Sequence, residues 1–415
     1  MRVGDRIGLT VTLAGSDVTV GVERFHARYG YDQRIPEVDV DFATTPTFVD
    51  WGTLVIQAGL TSLASDTSGP STTRFNGLAV NNGVNFWPYT PHLAGRGWLV
   101  QADKTLVTDD LWARYLSPAD NPDPLVTPAS WDPPGIDMTL DGAGQTDSDQ
   151  ILAVLDSCGL SGNVGSILGL PYLLGTQVQA FEQFVWRRGQ SGLQYIESLD
   201  AMHGYRTYET TGGTINRKLT SNLVPLFATV QYTLNENQDV LEGATLSRDI
   251  DNIFNRVVVT GWDDGSGDNV WVQLGGVDIL PPGETIMTEN FQSSFIEHLE
   301  LGEVYIAGPH VPPALVGTLV PGFSCQEAAE YWLGQFQYPM LEAVVPTWRD
   351  DPFQPGDIVY LNCPHLLGVN QAMTCKHIEI EVTPTTFTQT LTLRAQDYAV
   401  FRGPPVLPLS LGARY

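Results

Sequence analysis

The chain holds many groups able to do chemistry, but their spacing does not assemble them. His26, His92, His203, His298, His310, His365 and His377 form no His-Glu-x-x-His pattern, and no Cys-x-x-Cys pair stands beside them. Zinc therefore has no support from spacing. Gly165-Ser166 lacks the Gly-x-Ser-x-Gly turn that presents a nucleophilic serine, and no Gly-x-x-x-x-Gly-Lys loop is available to cradle a phosphate. Asp263-Asp-Gly-Ser-Gly-Asp268 is dense in oxygen atoms, yet a full calcium loop must end on a bidentate acid and position 274 is Leu. That segment reads as a hairpin turn. Arg187-Arg188 beside Trp186 suits a phosphate or an interface ion pair, the second being the plainer chemistry. Abundant Asp and Glu with ten tryptophans could furnish a glycoside-cleaving site, but abundance sets no two carboxylates at a working separation, and aromatic residues equally serve cores and subunit contacts. The expectation is no catalytic, cofactor-binding or metal-binding residue, and no cofactor.

Composition removes further classes. The 415 residues carry 47 acidic against 21 basic side chains, a formal charge of −26, which repels nucleic acid and anionic lipid. The same sign suits a passage through which DNA slides without sticking, and it serves solubility as well. Only 16% of residues are charged, against about a quarter in ordinary domains, so the surface is rich in neutral polar groups or covered by neighbours. Gly 41 and Pro 28 imply many turns and short strands. Met1-Arg-Val-Gly-Asp-Arg6 lacks the apolar core of a signal peptide, and export by that route is not expected. The best apolar run, Ile167 to Leu174, is short and broken by Pro171, so it reads as a buried loop or strand and no membrane anchor is expected. Cys158, Cys325, Cys363 and Cys375 are widely spread and read as reduced, buried thiols, although Cys363 and Cys375 could face each other across neighbouring strands.

Elements follow from periodicity. Residues 1 to 116 read as an N-terminal β-barrel-like domain, with strands at Gly8–Leu13, Asp17–Val22, Val38–Phe42, Thr53–Gln57, Gly77–Val80 and Gly97–Ala102. Residues 117 to 146 form a Pro/Asp-rich arm or loop, because Pro118, Pro122, Pro124, Pro128, Pro133 and Pro134 exclude helix and central strand. A central α/β helix-hairpin region spans 147 to 239. Its first helix runs from Thr146 through Ile151, Leu152 and Leu155 to Gly159. Its second is capped by the Ser191/Gln194 box, carries the stripe Leu193, Ile196, Leu199, Met202, and stops at Gly204. Tyr205–Tyr208 and Thr214–Arg217 then pair around Thr211-Gly212-Gly213, a turn that needs positive φ. Asn255-Arg-Val-Val-Val-Thr-Gly-Trp262 is a strand buried on both faces.

A second β-barrel-like domain covers 240 to 397, with an inserted helix near 324–337 that starts at the Ser324/Glu327 capping box, and a tail covers 398 to 415. Pro355-Gly356-Asp357 opens Ile358–Leu361. Met373–Val382 leads through Pro384-Thr-Thr386 into Phe387–Leu393, where Thr388, Thr390 and Thr392 face one way and Phe387, Gln389, Leu391 and Leu393 the other.

This succession of helix, hairpin, an Asn-Arg-Val-x-Val-x-Gly strand, a Pro-Gly-Asp turn and two long paired strands resembles the hub proteins at the tail end of bacteriophages. Related contractile injection machines and type VI secretion spikes share it. Phe75-Asn-Gly77 fits the Phe-x-Gly slot of the family's first barrel. The resemblance implies an α+β, mainly β fold with two small antiparallel β-barrels flanking a central α/β region. It implies a structural virion protein and not an enzyme: a homotrimeric tail-tip or baseplate hub that adapts a six-fold tail tube to a three-fold tip and helps form the DNA-ejection channel. The implied partners are its own copies, a tail tube or distal tail protein, the tape-measure protein, and tip, spike or fibre proteins, with DNA passing the lumen unbound. The implied location is the virion tail tip, after assembly in the host cytoplasm. A carbohydrate-active or receptor-binding β protein is the alternative.

Overall fold

The computed structural model describes residues 5–31, 33–49, 51–62, 72–86, 89–107, 111–113, 135–136, 147–167, 185–186, 188–203, 205–219, 229–249, 256–262, 269–275, 296–300 and 340–396. The architecture is α+β, mainly β, and its ladders are predominantly antiparallel. The arm at 117–146 (apart from 135–136), the helix near 324–337, the tail, the run 168–174, Gly204 and Cys325 lie outside the described residues.

The N-terminal module is built from β1 (Asp5–Leu13), β2 (Ser16–Asp17), β3 (Val22–Gly30), β4 (Glu37–Phe42), β5 (Thr53–Ser62), β6 (Thr73–Phe86) and β7 (Tyr89–Arg96), in spatial order β2-β1-β5-β6-β7-β4-β3. Period-two alternation sets its faces: Val38, Val40 and Phe42 of β4 are buried, while Glu37, Asp39 and Asp41 point to solvent. Gly77 is required where β7 passes, because a Cβ there would meet the Arg96 carbonyl oxygen.

Two expected strands take other forms. Asp17–Val22 is mostly turn, since the Thr19 N–H bonds Asp17 Oδ1 at 2.9 Å and Gly21 sits at φ +92°, and the strand begins only at Val22. Gly97–Ala102 winds into a turn and the short helix α1 (Val100–Lys104), which buries Val100 and Ala102, with Leu99 buried at its N-cap. A run of adjacent apolar residues suits a fully buried helical turn as well as a strand. The strand β3 shows the same period-two pattern as β4, with Phe25, Ala27 and Tyr29 buried between Arg24, His26 and Arg28.

Three short strands, β8 (Leu111–Ala113), β9 (Gly135–Ile136) and β11 (Val185–Trp186), pair in the order β11-β8-β9. In the central region α2 (Asp147–Ser157) leads to β10 (Val164–Ile167), and α3 (Gly192–His203) to the hairpin β12 (Tyr205–Glu209) and β13 (Ile215–Leu219). The sheet order is β10-β13-β12, with α3 against β12 and α2 against α3. Ser191 caps α3 reciprocally: the Gln194 N–H donates to Ser191 Oγ at 3.1 Å and the Ser191 N–H to Gln194 Oε1 at 3.0 Å. Leu193, Ile196 and Leu199 are buried, as are Ile151 and Leu155 of α2, whereas Leu152 is exposed.

The second module contributes β14 (Tyr232–Asn235), β15 (Thr245–Asp249), β16 (Arg256–Trp262), β17 (Asn269–Gly275), β18 (Ile296–Glu300), β19 (Met340–Thr347), β20 (Ile358–Cys363), β21 (Val369–Val382) and β22 (Phe387–Gln396). The Asn255 strand, β16, is antiparallel to β17 and parallel to β18, in a three-stranded sheet apart from the long strands, while Asn255 and Asp263–Asp268 lie outside the described residues. Along β22 the expected alternation holds, with Gln389 fully buried among Phe387, Leu391 and Leu393. Cys363 lies opposite Val369 at one end of the β20–β21 ladder and Cys375 beyond its other end, so both are free buried thiols with no bridge between them.

The two β modules share one sheet. β21 pairs with β20 over Val369–Thr374, then, past a bulge between Cys375 and His377, its same edge pairs antiparallel with β3, from His377 opposite Gly30 to Val382 opposite Phe25. The result is a 13-stranded sheet over one continuous core, in which Phe25 and Tyr29 lie with Ile378, Ile380, Leu391 and Leu393.

Candidate functional site

The seam between the modules holds most of the buried charged residues among those described, and the β12–β13 hairpin sits in it. On α3, Asp200 is fully buried. Its Oδ2 accepts from Arg34 Nη1 at 2.6 Å and from the Thr207 N–H at 2.7 Å; its Oδ1 accepts from Arg217 Nε at 2.8 Å and from the Thr207 hydroxyl at 3.2 Å. Arg217, also fully buried, lays its guanidinium 4.4 Å over the Tyr205 ring. One carboxylate thus ties helix, both hairpin strands and the β3–β4 loop, and Arg34 reaches on to Glu197 Oε1 at 3.1 Å.

The hairpin tip binds three neighbours. Asn76 Nδ2 of β6 donates to the Gly212 carbonyl at 3.1 Å and Asn163 Nδ2 to the Gly213 carbonyl at 3.3 Å. Gln354, between β19 and β20, accepts from the Thr211 N–H at 3.2 Å and donates to the Thr211 hydroxyl at 2.8 Å. Gly213 has φ +80°, as the turn demanded. At the base of the tip, Glu209 is buried and accepts the Leu99 N–H at 3.1 Å, while its Oε1 and the Trp98 indole N–H take no partner among the described residues. Burial pushes the Glu209 carboxyl up to about 8, only partly offset by the N–H groups of Leu99 and Trp98.

Two further contacts fasten the modules directly. Arg74 of β6, 1% exposed, pairs with Asp350 and donates to the carbonyls of Ala58 at 3.0 Å, Asp350 at 3.1 Å and Asp351 at 3.1 Å. Asp350 also accepts the Leu60 N–H at 2.7 Å. Desolvation raises the Asp350 carboxyl and the Arg74 charge counters it. At the bulge of β21, the Tyr31 N–H donates to the Lys376 carbonyl at 3.0 Å and the Tyr31 ring stands edge-on to Tyr208 at 5.1 Å. Gly356, at φ +89°, admits the Tyr31 hydroxyl where any Cβ would collide with it. These are groups for holding parts in register.

The residues weighed from spacing do not converge here. His92 lies between Asp39 and Asp41, at 3.3 and 3.0 Å, on the outer face of the sheet, and His377 is 3.7 Å from Glu379 on the same face. His26 stands on β3 opposite Asp39 and the His365 N–H donates to Glu236. His203 ends α3 and His298 lies in β18, while His310 and Arg187 are outside the described residues. Among the described residues no three His, Cys, Asp or Glu side chains lie close enough to hold a metal ion, and no helix is long and apolar enough to cross a membrane. Arg34, Arg74, Asp200, Glu209, Arg217 and Asp350 went unread. A signal existed for two of them: Asp200 interrupts the apolar stripe of α3 one turn after Ile196, and Arg217 alternates with the buried Ile215.

No protein-family model and no curated protein sequence matches the chain. Solved structures do. The tail protein from Neisseria meningitidis MC58 matches over 95% of this chain and 98% of its own, with a TM-score of 0.58 at 13% identity. The 43 kDa tail protein of prophage MuSo2 from Shewanella oneidensis matches over 93% of this chain and 97% of its own, with a TM-score of 0.53 at 10% identity. Over that share of its length the chain is similar in fold to these phage tail proteins.

Proposed function

We propose that this chain is a structural component of a phage tail, a trimeric hub at the tail tip or baseplate that joins a six-fold tail tube to a three-fold tip and contributes to the DNA-ejection channel. The observation that carries the reading is the joining, within one chain, of two antiparallel β modules side by side through β3 and β21, in a chain with the tail-protein fold. Three copies arranged about an axis would offer six β modules to a hexagonal neighbour. Such a ring closes only if the angle between modules is constant, and the Asp200, Gln354 and Arg74 contacts supply that constancy.

In this reading the partners are the chain's own copies, the tail tube or distal tail protein on one side, and tip, spike or fibre proteins on the other. The tape-measure protein and then DNA occupy the lumen, and the formal charge of −26 favours passage of DNA over binding. The protein assembles in the host cytoplasm and resides in the virion. Light scattering on the purified chain and electron microscopy of particles test this: a trimer, or three copies in a ring at the tail end, is expected. A monomer in solution together with its absence from tail ends would remove the reading.

A further inference from the structure

The seam uses the inward side of the N-terminal module, and one end of that module remains unexplained. Three stretches meet there: Ala14–Gly15 between β1 and β2, Thr19–Gly21 between β2 and β3, and Val49, Trp51 and Gly52 before β5. They interlock through Ala14 N–H to the Thr53 carbonyl at 2.8 Å and Ala43 N–H to the Gly21 carbonyl at 2.6 Å. This rim carries Val20, Val49 and Trp51, which are 91, 42 and 54% exposed. It also holds Ala14 at φ +47° and Trp51 at φ +58°, the two non-glycine residues with positive φ among the described residues. Backbone held in that region costs energy and persists where the surroundings enforce it, a pattern concentrated at functional surfaces.

Trp51 is fixed in place. Its N–H donates to the Ala79 carbonyl at 2.8 Å and the Ala79 N–H returns to the Gly52 carbonyl at 2.9 Å. That anchorage falls where the β5–β6 ladder ends, at Thr53 opposite Leu78. From there β6 and β7 continue as a two-stranded arm to Phe86 opposite Tyr89, beyond the end of the β4–β7 ladder at Asp41 opposite His92. A two-stranded ribbon is marginal by itself in water. The arm, from Leu78 to Pro91, contains no charged residue, and the only charge between Arg6 and Glu23 is Asp17.

We infer that this rim, with Trp51 as its anchor, docks a segment of a different protein that has an apolar centre flanked by Lys or Arg. An exposed tryptophan on a preorganised backbone, ringed by small apolar and neutral groups, is the usual make-up of an interface hot spot. The rim's charge decides what faces it: Asp17 and Glu23, the ionisable residues nearest the β2–β3 turn in sequence, are both acidic, so a basic-flanked segment is attracted there. The inference rests on the tail reading only for the place where the partner is found.

The test replaces Trp51 with the photo-crosslinker p-benzoylphenylalanine in the full chain, irradiates assembled particles, and sequences the crosslinked peptide. Leu366, 53% exposed on the other module, serves as the comparison position. The expected product from position 51 is a peptide of another protein with Lys or Arg beside the crosslinked residue, and Val20→Asp added to the same chain should cut its yield roughly tenfold, the effect of losing a hot-spot contact. Circular dichroism and the thermal midpoint confirm that the variant folds. A crosslink to the chain's own copy, an acid-flanked peptide, a yield unchanged by Val20→Asp, or no crosslink in particles that contain the chain would each overturn the inference and leave the tail reading standing. Particles lacking the chain altogether would remove both.

Discussion

On the outer face of the 13-stranded sheet, Arg24 lies 2.9 Å from Glu381, Arg28 3.8 Å from Glu379, Arg96 2.8 Å from Glu37 and Arg394 2.5 Å from Glu342, all with side chains roughly a third to a half exposed. At the seam, Asp200 takes Arg34 and Arg217 at 2.6 and 2.8 Å with all three side chains almost wholly out of water. The distances are alike and the solvation is opposite. In water an exposed pair exchanges one set of partners for another and contributes about 0–1 kcal/mol. At the seam, removing one member leaves a charge with no water to receive it, at about 3–5 kcal/mol. The outer pairs therefore tolerate loss, whereas the seam charges dictate where β3, α3 and the hairpin sit relative to one another.

The contrast can be broken most easily at Asp200. Asp200→Ala removes the buried carboxylate that Arg34 and Arg217 share and should lower unfolding stability by about 3–5 kcal/mol in denaturant titration; a loss below about 1 kcal/mol, the scale of a surface pair, would erase the distinction. Arg74→Met should cost about 3 kcal/mol, because Asp350 loses its cationic partner and the Ala58 carbonyl its guanidinium donor. Combining it with Asp350→Leu should return part of that loss, since two apolar groups leave no buried charge unpaired, and a double variant weaker than either single one would contradict this account.

Glu209 sharpens the contrast through pH. Its folded pKa, raised to about 8 from 4.5, means the native state holds a proton that the unfolded chain releases. Its stabilising contribution is whole below 4.5 and declines as pH rises to about 8, by at most about 1.4 kcal/mol per pH unit. Glu209→Gln should flatten that segment of the stability profile; an unchanged slope would place the proton elsewhere. The smallest effect belongs to the outer face, where Arg24→Ala or Arg28→Ala should shift stability by no more than about 0.5 kcal/mol, and less in high salt, as read from thermal midpoints at two ionic strengths.

Much of the local structure was legible. The Ser191 box predicted the start of α3, the Thr211-Gly212-Gly213 turn predicted its hairpin, and the alternation in Phe387–Leu393 predicted which side of β22 is buried. Each depends on residues within a few positions of one another. Legibility failed where two local solutions compete, as at Gly97–Ala102, whose adjacent apolar residues are buried by helix α1 instead of a strand. The alternation that marks β22 is present in β3 as well, where Phe25, Ala27 and Tyr29 are buried between Arg24, His26 and Arg28.

The sequence alone determined the mainly β composition, the position of the central helix and hairpin, and the direction in which most strands turn their apolar side, because periodicity and turn chemistry act over a few residues. Only the tertiary structure decided that β3 takes β21 as its neighbour, that β16 does not join the long strands, and that Arg34, Asp200 and Arg217 meet. A strand edge offers the same N–H and C=O groups to every other strand, and a buried carboxylate accepts any arginine that reaches it. Which partner arrives depends on how the whole core packs, over separations as large as the 166 positions between Arg34 and Asp200.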